Sequence, residues 1–210
     1  MKTMTAALGG LLVILAACAQ EPPPSVSINR VLSPKIVMDV KIISLVDRSG
    51  IQPSNSPYNG NNFSPTIMES IKQWSVDRLQ ANGQSGQAVV LVKRATLTAE
   101  PLPVKTGIEG WFTRDQSMKY VGQAEVSIEA NGQRGFAVAD ATATRSVSLP
   151  ENPTELEKQN AYATLLNGLM KDLGDNIEMS IRAHMSSFVM APPVYGATAV
   201  PVAVPYEAQK

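Results

Sequence analysis

Residues 119–149 read KYVGQAEVSIEANGQRGFAVADATATRSVSL, and the fold turns on them. From Lys119 to Ala130 the chain alternates, with Ala124, Val126 and Ile128 facing one way and Gln123, Glu125, Ser127 and Glu129 the other. A side-chain period of two marks a strand with one face buried and one in water. Asn131-Gly132 follows, and this pair predicts a type I′ hairpin turn, whose two central residues need positive φ. The returning strand spans 134–149. Its Ala137, Ala139, Ala141 and Ala143 make a face of small side chains that lets a helix approach the sheet closely.

Such a helix follows at once. Asn152-Pro153 breaks the strand, Thr154-x-x-Glu157 is a capping box, and Tyr162, Leu165, Leu166, Leu169, Met170, Leu173, Ile177, Ile181 and Met185 keep i, i+3/i+4 spacing towards Phe188. Gly168 and Gly174 each cost about 1 kcal/mol relative to Ala, and a kink is expected near Gly174-Asp175. Upstream, 87–99 carries AVVLV and is stopped by Pro101 and Pro103, a further strand. Ile36 to Val46, IVMDVKIISLV, reads as one half-buried strand with Met38, Val40 and Ile42 on a common face. After a loop over 50–63, Ser64 as N-cap and Pro65 at the first position predict a helix over 65–82, with Met68, Ile71, Trp74 and Leu79 inward and Asn82-Gly83 at its end. The order β-α-β-β-β-α over 35–189 predicts an α+β two-layer sandwich: a mostly antiparallel four-stranded sheet with two helices on one face.

The N-terminus is an address. Residues 1–17, MKTMTAALGGLLVILAA, place Lys2 before an apolar stretch from Ala6 to Leu15. That stretch is too short for a bilayer, which takes about 20 apolar residues, and has the proportions of a secretory signal peptide. Leu15-Ala16-Ala17-Cys18 then resembles a bacterial lipobox. The resemblance implies cleavage between Ala17 and Cys18, a diacylglycerol thioether on the Cys18 sulfur and an N-acyl chain (palmitate class) on its amine. The competing reading is an ordinary signal cut at Ala-x-Ala with an incidental Cys. In lipoproteins of enterobacterial type an Asp after the Cys favours the inner membrane, so Ala19 implies the outer membrane, facing the periplasm. Residues 18–34 include Glu21-Pro22-Pro23-Pro24 and read as a tether; at about 3.1 Å per residue the stretch from Ala19 to Pro34 reaches up to about 50 Å. Residues 190–210, rich in Pro, Ala and Val, read either as a flexible tail or as a docking segment anchored by Tyr195, Val200, Val202, Val204 and Tyr206.

Composition removes other classes. With 18 Lys+Arg against 18 Asp+Glu the chain has no basic block for phosphates, so nucleic acid is not an expected partner. One Cys and one His exclude a disulfide framework and a Cys/His zinc cluster. GxSxG, SxxK, HExxH, P-loop and GxGxxG patterns are missing, so no enzyme, no metal and no cofactor beyond the lipid on Cys18 are expected. His184 reads as a boundary residue near a helix C-terminus, and Asp172, Asp175, Asn176 and Glu178 as a solvated face. Asp39 with Lys41, and Asp47 with Arg48, read as surface charges; the sequon Asn62-Phe63-Ser64 reads as incidental.

Two aromatic loops remain as partner or lipid contacts: Trp111-Phe112, which either cap the open end of the sandwich or protrude as anchors, and Tyr58 with Phe63. Together the lipobox, the tether and one βαβββα domain resemble small periplasm-facing outer-membrane lipoproteins. That group includes auxiliary lipoproteins of lipid-handling ABC transporters, the lipoprotein plug of the lipopolysaccharide-export barrel and, nearest in pattern, lipoproteins with no assigned activity. The resemblance implies a non-catalytic accessory or structural role beside an envelope protein. The alternative is a carrier of lipid or another apolar ligand, with Met68, Met170, Met179 and Met185 lining a cleft.

Overall fold

The computed structural model describes residues 34–50, 63–102 and 116–190. Cys18, Ala17, Tyr58, Trp111, Phe112 and the 191–210 segment lie outside them. Within them the elements are β1 (Ile36–Met38), β2 (Ile42–Asp47), α1 (Ile67–Arg78), β3 (Leu79–Ala81), β4 (Gln87–Pro101), β5 (Gln116–Gly132), β6 (Gly135–Pro150) and α2 (Glu155–His184), followed by a 3₁₀ turn at Ser186–Phe188. The main sheet has the order β2-β4-β5-β6, parallel between β2 and β4 and antiparallel in the other two pairs. The expected α+β architecture and its element order stand, with the sheet mixed but mostly antiparallel.

Burial follows the alternation along β5. Ala124, Val126, Ile128 and Ala130 are buried in one core with Ala139, Ala141 and Ala143 of β6. The alanine face does what its small side chains permit: α2 lies against it and buries Leu165, Leu166, Leu169, Leu173, Ile177 and Ile181. Gly122 extends the same trough, since a Cβ there would stand 2.6 Å from the Leu165 Cδ2. α2 is a single helix to His184, uninterrupted at Gly174-Asp175. Gly174 serves packing between the helices, as its missing Cβ would stand 3.0 Å from the Trp74 indole nitrogen. Thr154 caps α2 through the full box with Glu157.

Four expectations need correction. The strand over 36–46 is two strands. Its first half lies between β3, which runs parallel to it, and the chain's last described residues, which run antiparallel: Asp39 N–H donates to the Phe188 carbonyl at 2.8 Å and Met190 N–H to that of Val37 at 2.8 Å. Its second half joins β4. The kink at 39–41 breaks the alternation, so Met38 and Val40 are fully buried while Ile42 is 57% exposed. Secondly, α1 starts later than 65 because Thr66, with Glu69 three residues on, is the cap, rather than Ser64. Thirdly, α1 ends at Arg78, and Leu79 turns directly into β3, so Asn82-Gly83 is not its terminator. Gly83 is instead a point of close approach, where a Cβ would meet the Val40 backbone nitrogen at 2.5 Å. Fourthly, the hairpin turn lies at Gln133-Arg134. Asn131 and Gly132 pair with Phe136 and Gly135 as the last rungs of the ladder, and the positive φ falls at Gly135.

Candidate functional site

The chain carries one charged side chain into its buried interior among the described residues, Arg78, at the last position of α1. Leucine-like helix spacing directs it inward, and α2 supplies its counter-charge from 100 residues away: the guanidinium pairs with Glu178 and also donates to the Pro34 carbonyl at 2.5 Å. Arg182 approaches the other Glu178 oxygen at 3.9 Å. Pro34 is where the Pro-rich segment meets the folded domain, and the strand that follows it is flanked by Met190. Both ends of the described chain are therefore joined to one region, and a buried ion pair holds the N-terminal one.

The face of the sheet turned away from the helices carries a charge ladder. Lys93 Nζ stands 2.8 Å from Asp140, Lys119 2.9 Å from Glu100, and Arg94 4.0 Å from Glu125. The Lys93 hydrogen bond holds the Asp140 carboxyl below the usual carboxylate range, and the same bond raises Lys93. Across one row run Val46, Leu91, Ser127 and Asp140; Leu91 and Ser127 are buried there although neither α1 nor α2 lies on that face. Long charged side chains with apolar stems shield such rows.

The sequence candidates fall in different places. Phe63 is half-buried: its ring stacks on Tyr162 at 4.5 Å and meets Tyr120 edge-on at 5.6 Å. Tyr162 donates to the Pro65 carbonyl at 2.7 Å, and burial raises its hydroxyl pKa far above that of a free tyrosine. These three rings link the start of α1 to α2 and β5. His184 is exposed at the last position of α2. The acids of α2 do not converge: Asp172 pairs with Arg145 (Nη2 at 2.8 Å), Asp175 with Lys171 at 2.6 Å, and Glu178 with Arg78, while Asn176 donates to the Thr142 carbonyl at 2.9 Å. Asp39 pairs with Arg134 of the hairpin turn at 2.6 Å rather than with Lys41. Asp47 accepts from the backbone and hydroxyl of Ser49 at 2.9 and 2.6 Å, which lowers its pKa. Met170 and Met185 are in the core, Met68 is at its margin, and Met179 is in solvent, so these side chains do not share one lining.

Arg78 was missed because a cation in a helix's last turn already has a sufficient explanation in the helix dipole. Its burial follows from β3, whose immediate start turns that last turn into the interior.

No family model and no curated protein matches the chain. Solved structures similar to it include a minor lipoprotein from Acinetobacter baumannii, at 13% identity over 74% of this chain and 99% of that one, with a TM-score of 0.38. Rare lipoprotein B from Shewanella oneidensis is similar at 11% identity over 68% and 94% of the two chains, TM-score 0.37. An uncharacterized lipoprotein B from Nitrosomonas europaea is similar at 9% identity over 71% and 88%, TM-score 0.37. The chain is thus similar, in loose overlap, to small bacterial lipoproteins.

Proposed function

We propose that this protein is a lipid-anchored lipoprotein of the outer membrane, facing the periplasm, whose α+β domain has a non-catalytic accessory or structural role in a cell-envelope assembly. The observation that carries the proposal is Leu15-Ala16-Ala17-Cys18 at the end of a signal-like apolar stretch, followed by a Pro-rich segment. Several acyl chains on Cys18 make attachment stable where one short chain binds only marginally. The Arg78–Glu178 pair supports the same reading, because it fastens the domain at Pro34, where a tether would deliver any pull. Among the described residues no helix is long and apolar enough to cross a membrane, so in this reading the lipid is the attachment.

The test is the mass of the N-terminal peptide from detergent-extracted protein, beside Cys18→Ser, with membrane fractionation and in-cell cross-linking. Acylated Cys18 as the first residue, outer-membrane density and one recurrent envelope partner are expected. A mature chain starting elsewhere with a free thiol overturns the anchor. Reproducible co-purified lipid without any protein partner overturns the accessory role in favour of a carrier.

A further inference from the structure

β2 is an edge strand: β4 pairs with one side, and no described residue pairs with the other. Its sequence, IISLVD, contains neither Pro nor Lys, and its register with β4 has no bulge, so three of the devices that blunt an edge are not used along the strand itself. The opposite edge is treated differently, since Asn176 and Asp172 of α2 reach over β6 to the Thr142 carbonyl and to Arg145. The surroundings of β2 are unfinished on both faces. Ile42 is 57% and Val46 37% exposed on the outer face, and Ile43 and Leu45 point to the core yet stay half-buried. Two charges bracket the strand. Among the described residues Lys41 has no anionic partner, and Asp47 is held only by Ser49.

We infer that β2 is an interface with a second copy of this chain, formed by antiparallel edge-to-edge pairing centred on Ser44. The register follows from two constraints. An edge offers the N–H and C=O of every second residue, so in an antiparallel pair the two partner numbers must sum to an even value. Centring on Ile43 sets Lys41 opposite Leu45, and centring on Leu45 sets Ile43 opposite Asp47. Centring on Ser44 sets Ile42 opposite Val46 and Ile43 opposite Leu45, each twice by the two-fold axis, and brings the side chain of Lys41, at the bend just before the strand where its N–H donates to the Ser85 carbonyl at 3.0 Å, alongside the partner's end of the strand at Asp47. Apolar thus meets apolar and both bracketing charges find an opposite charge. The axis stands perpendicular to the sheet, so two four-stranded sheets become one of eight strands with all helices on one side. A contact of this size is small beside the roughly 1,200–2,000 Å² of a standard interface, so the dimer is a weak one in dilute solution.

The test is disulfide cross-linking of the full chain in cells under mild oxidant. It is run with Cys18 present and again with Cys18→Ala, so that it reads independently of anchoring. Directly opposed strand residues have Cβ atoms about 4.5–5.5 Å apart, near disulfide range. Ser44→Cys is expected to give a band of twice the chain's mass, Ile42→Cys alone little, and Ile42→Cys with Val46→Cys to restore it. Lys41→Asp on Ser44→Cys should cut the yield about fivefold or more, because like charges then face each other at both ends, and adding Asp47→Lys should recover it. Three results overturn the inference: no dimer from Ser44→Cys, equal yields from Ser44→Cys and Ile42→Cys, or no rescue by the charge swap. A dimer that appears only after removal of 191–210 makes the chain's own tail the occupant, and a mixed-mass band makes it another protein's strand; either outcome also overturns it.

Discussion

Glu178→Ala isolates the buried pair that fastens the domain to what precedes it. Arg78 has a side chain only 9% exposed, against 23% for Glu178. Removing one partner of a buried pair costs about 3–5 kcal/mol, because the other charge stays out of water. Here the Pro34 carbonyl still accepts from the guanidinium and Glu178 sits nearer solvent, so the loss should be about 2–3 kcal/mol. For a chain of this size each kcal/mol moves Tm by about 2–4 °C, which gives a drop of about 4–12 °C. Arg78→Met should cost less, since Glu178 can turn to Arg182 and to water. The double variant Arg78→Met, Glu178→Leu should lose clearly less than the sum, because no charge is left buried. Urea unfolding of residues 19–210 with Cys18 removed measures all four corners. A Glu178→Ala loss below about 1 kcal/mol, or simple additivity, refutes the argument. Hydrogen exchange separates stability from attachment: Arg78→Met should speed exchange at Ile36–Met38 more than in α2. Equal change in both would mean that the Pro34 contact holds nothing in place.

Three other outcomes follow from single positions. Gly83→Ala should destabilise by about 2 kcal/mol or more in the same urea assay, because its Cβ would press on the Val40 backbone at 2.5 Å, which cannot rotate away. Thr154→Ala and Thr66→Ala should each cost about 1 kcal/mol through loss of a capping box, measured singly and together to check additivity. The Asp140 carboxyl has a folded pKa below its unfolded one, so its contribution is fully present above the unfolded value near about 4 and is lost as pH falls through the folded value. The stability gap between the native chain and Asp140→Asn should therefore be flat from pH 5 to 8 and close at acid pH; a gap that widens on acidification contradicts the Lys93 pairing.

The parts of this fold that were legible in the sequence are those whose cause is local. Thr154-x-x-Glu157 caps α2 from within four residues, and the alternation in β5 depends only on which face is buried. Thr66-x-x-Glu69 was equally legible, but Pro65 drew the helix start forward; a complete box with both hydrogen bonds outweighs a proline's fixed φ. The failures share a different cause, which is contact with a distant segment. Asn131-Gly132 has the chemistry of a turn, yet the Gly86 turn packs against it: a Cβ on Gly86 would lie 2.6 Å from the Asn131 carbonyl, and one on Gly132 3.4 Å from the Gly86 Cα. The pair is held as ladder by that neighbour, and the reversal moves two residues on. Ile36 to Val46 divides because Phe188 to Met190 and β3 claim its first half, and neither is visible to a period-two pattern.

The same division bears on function. A lipobox is read by an enzyme as a linear word, so a sequence can display it in full, whereas a docking surface exists only after strands are set side by side. Ile42 and Val46 look like any strand residues in the chain; they become a candidate interface because β4 takes one edge of β2 and nothing described takes the other. Lys41 and Asp47 look like stray surface charges. Their meaning depends on a partner strand supplying the opposite order, which an antiparallel copy of residues 41–47 does.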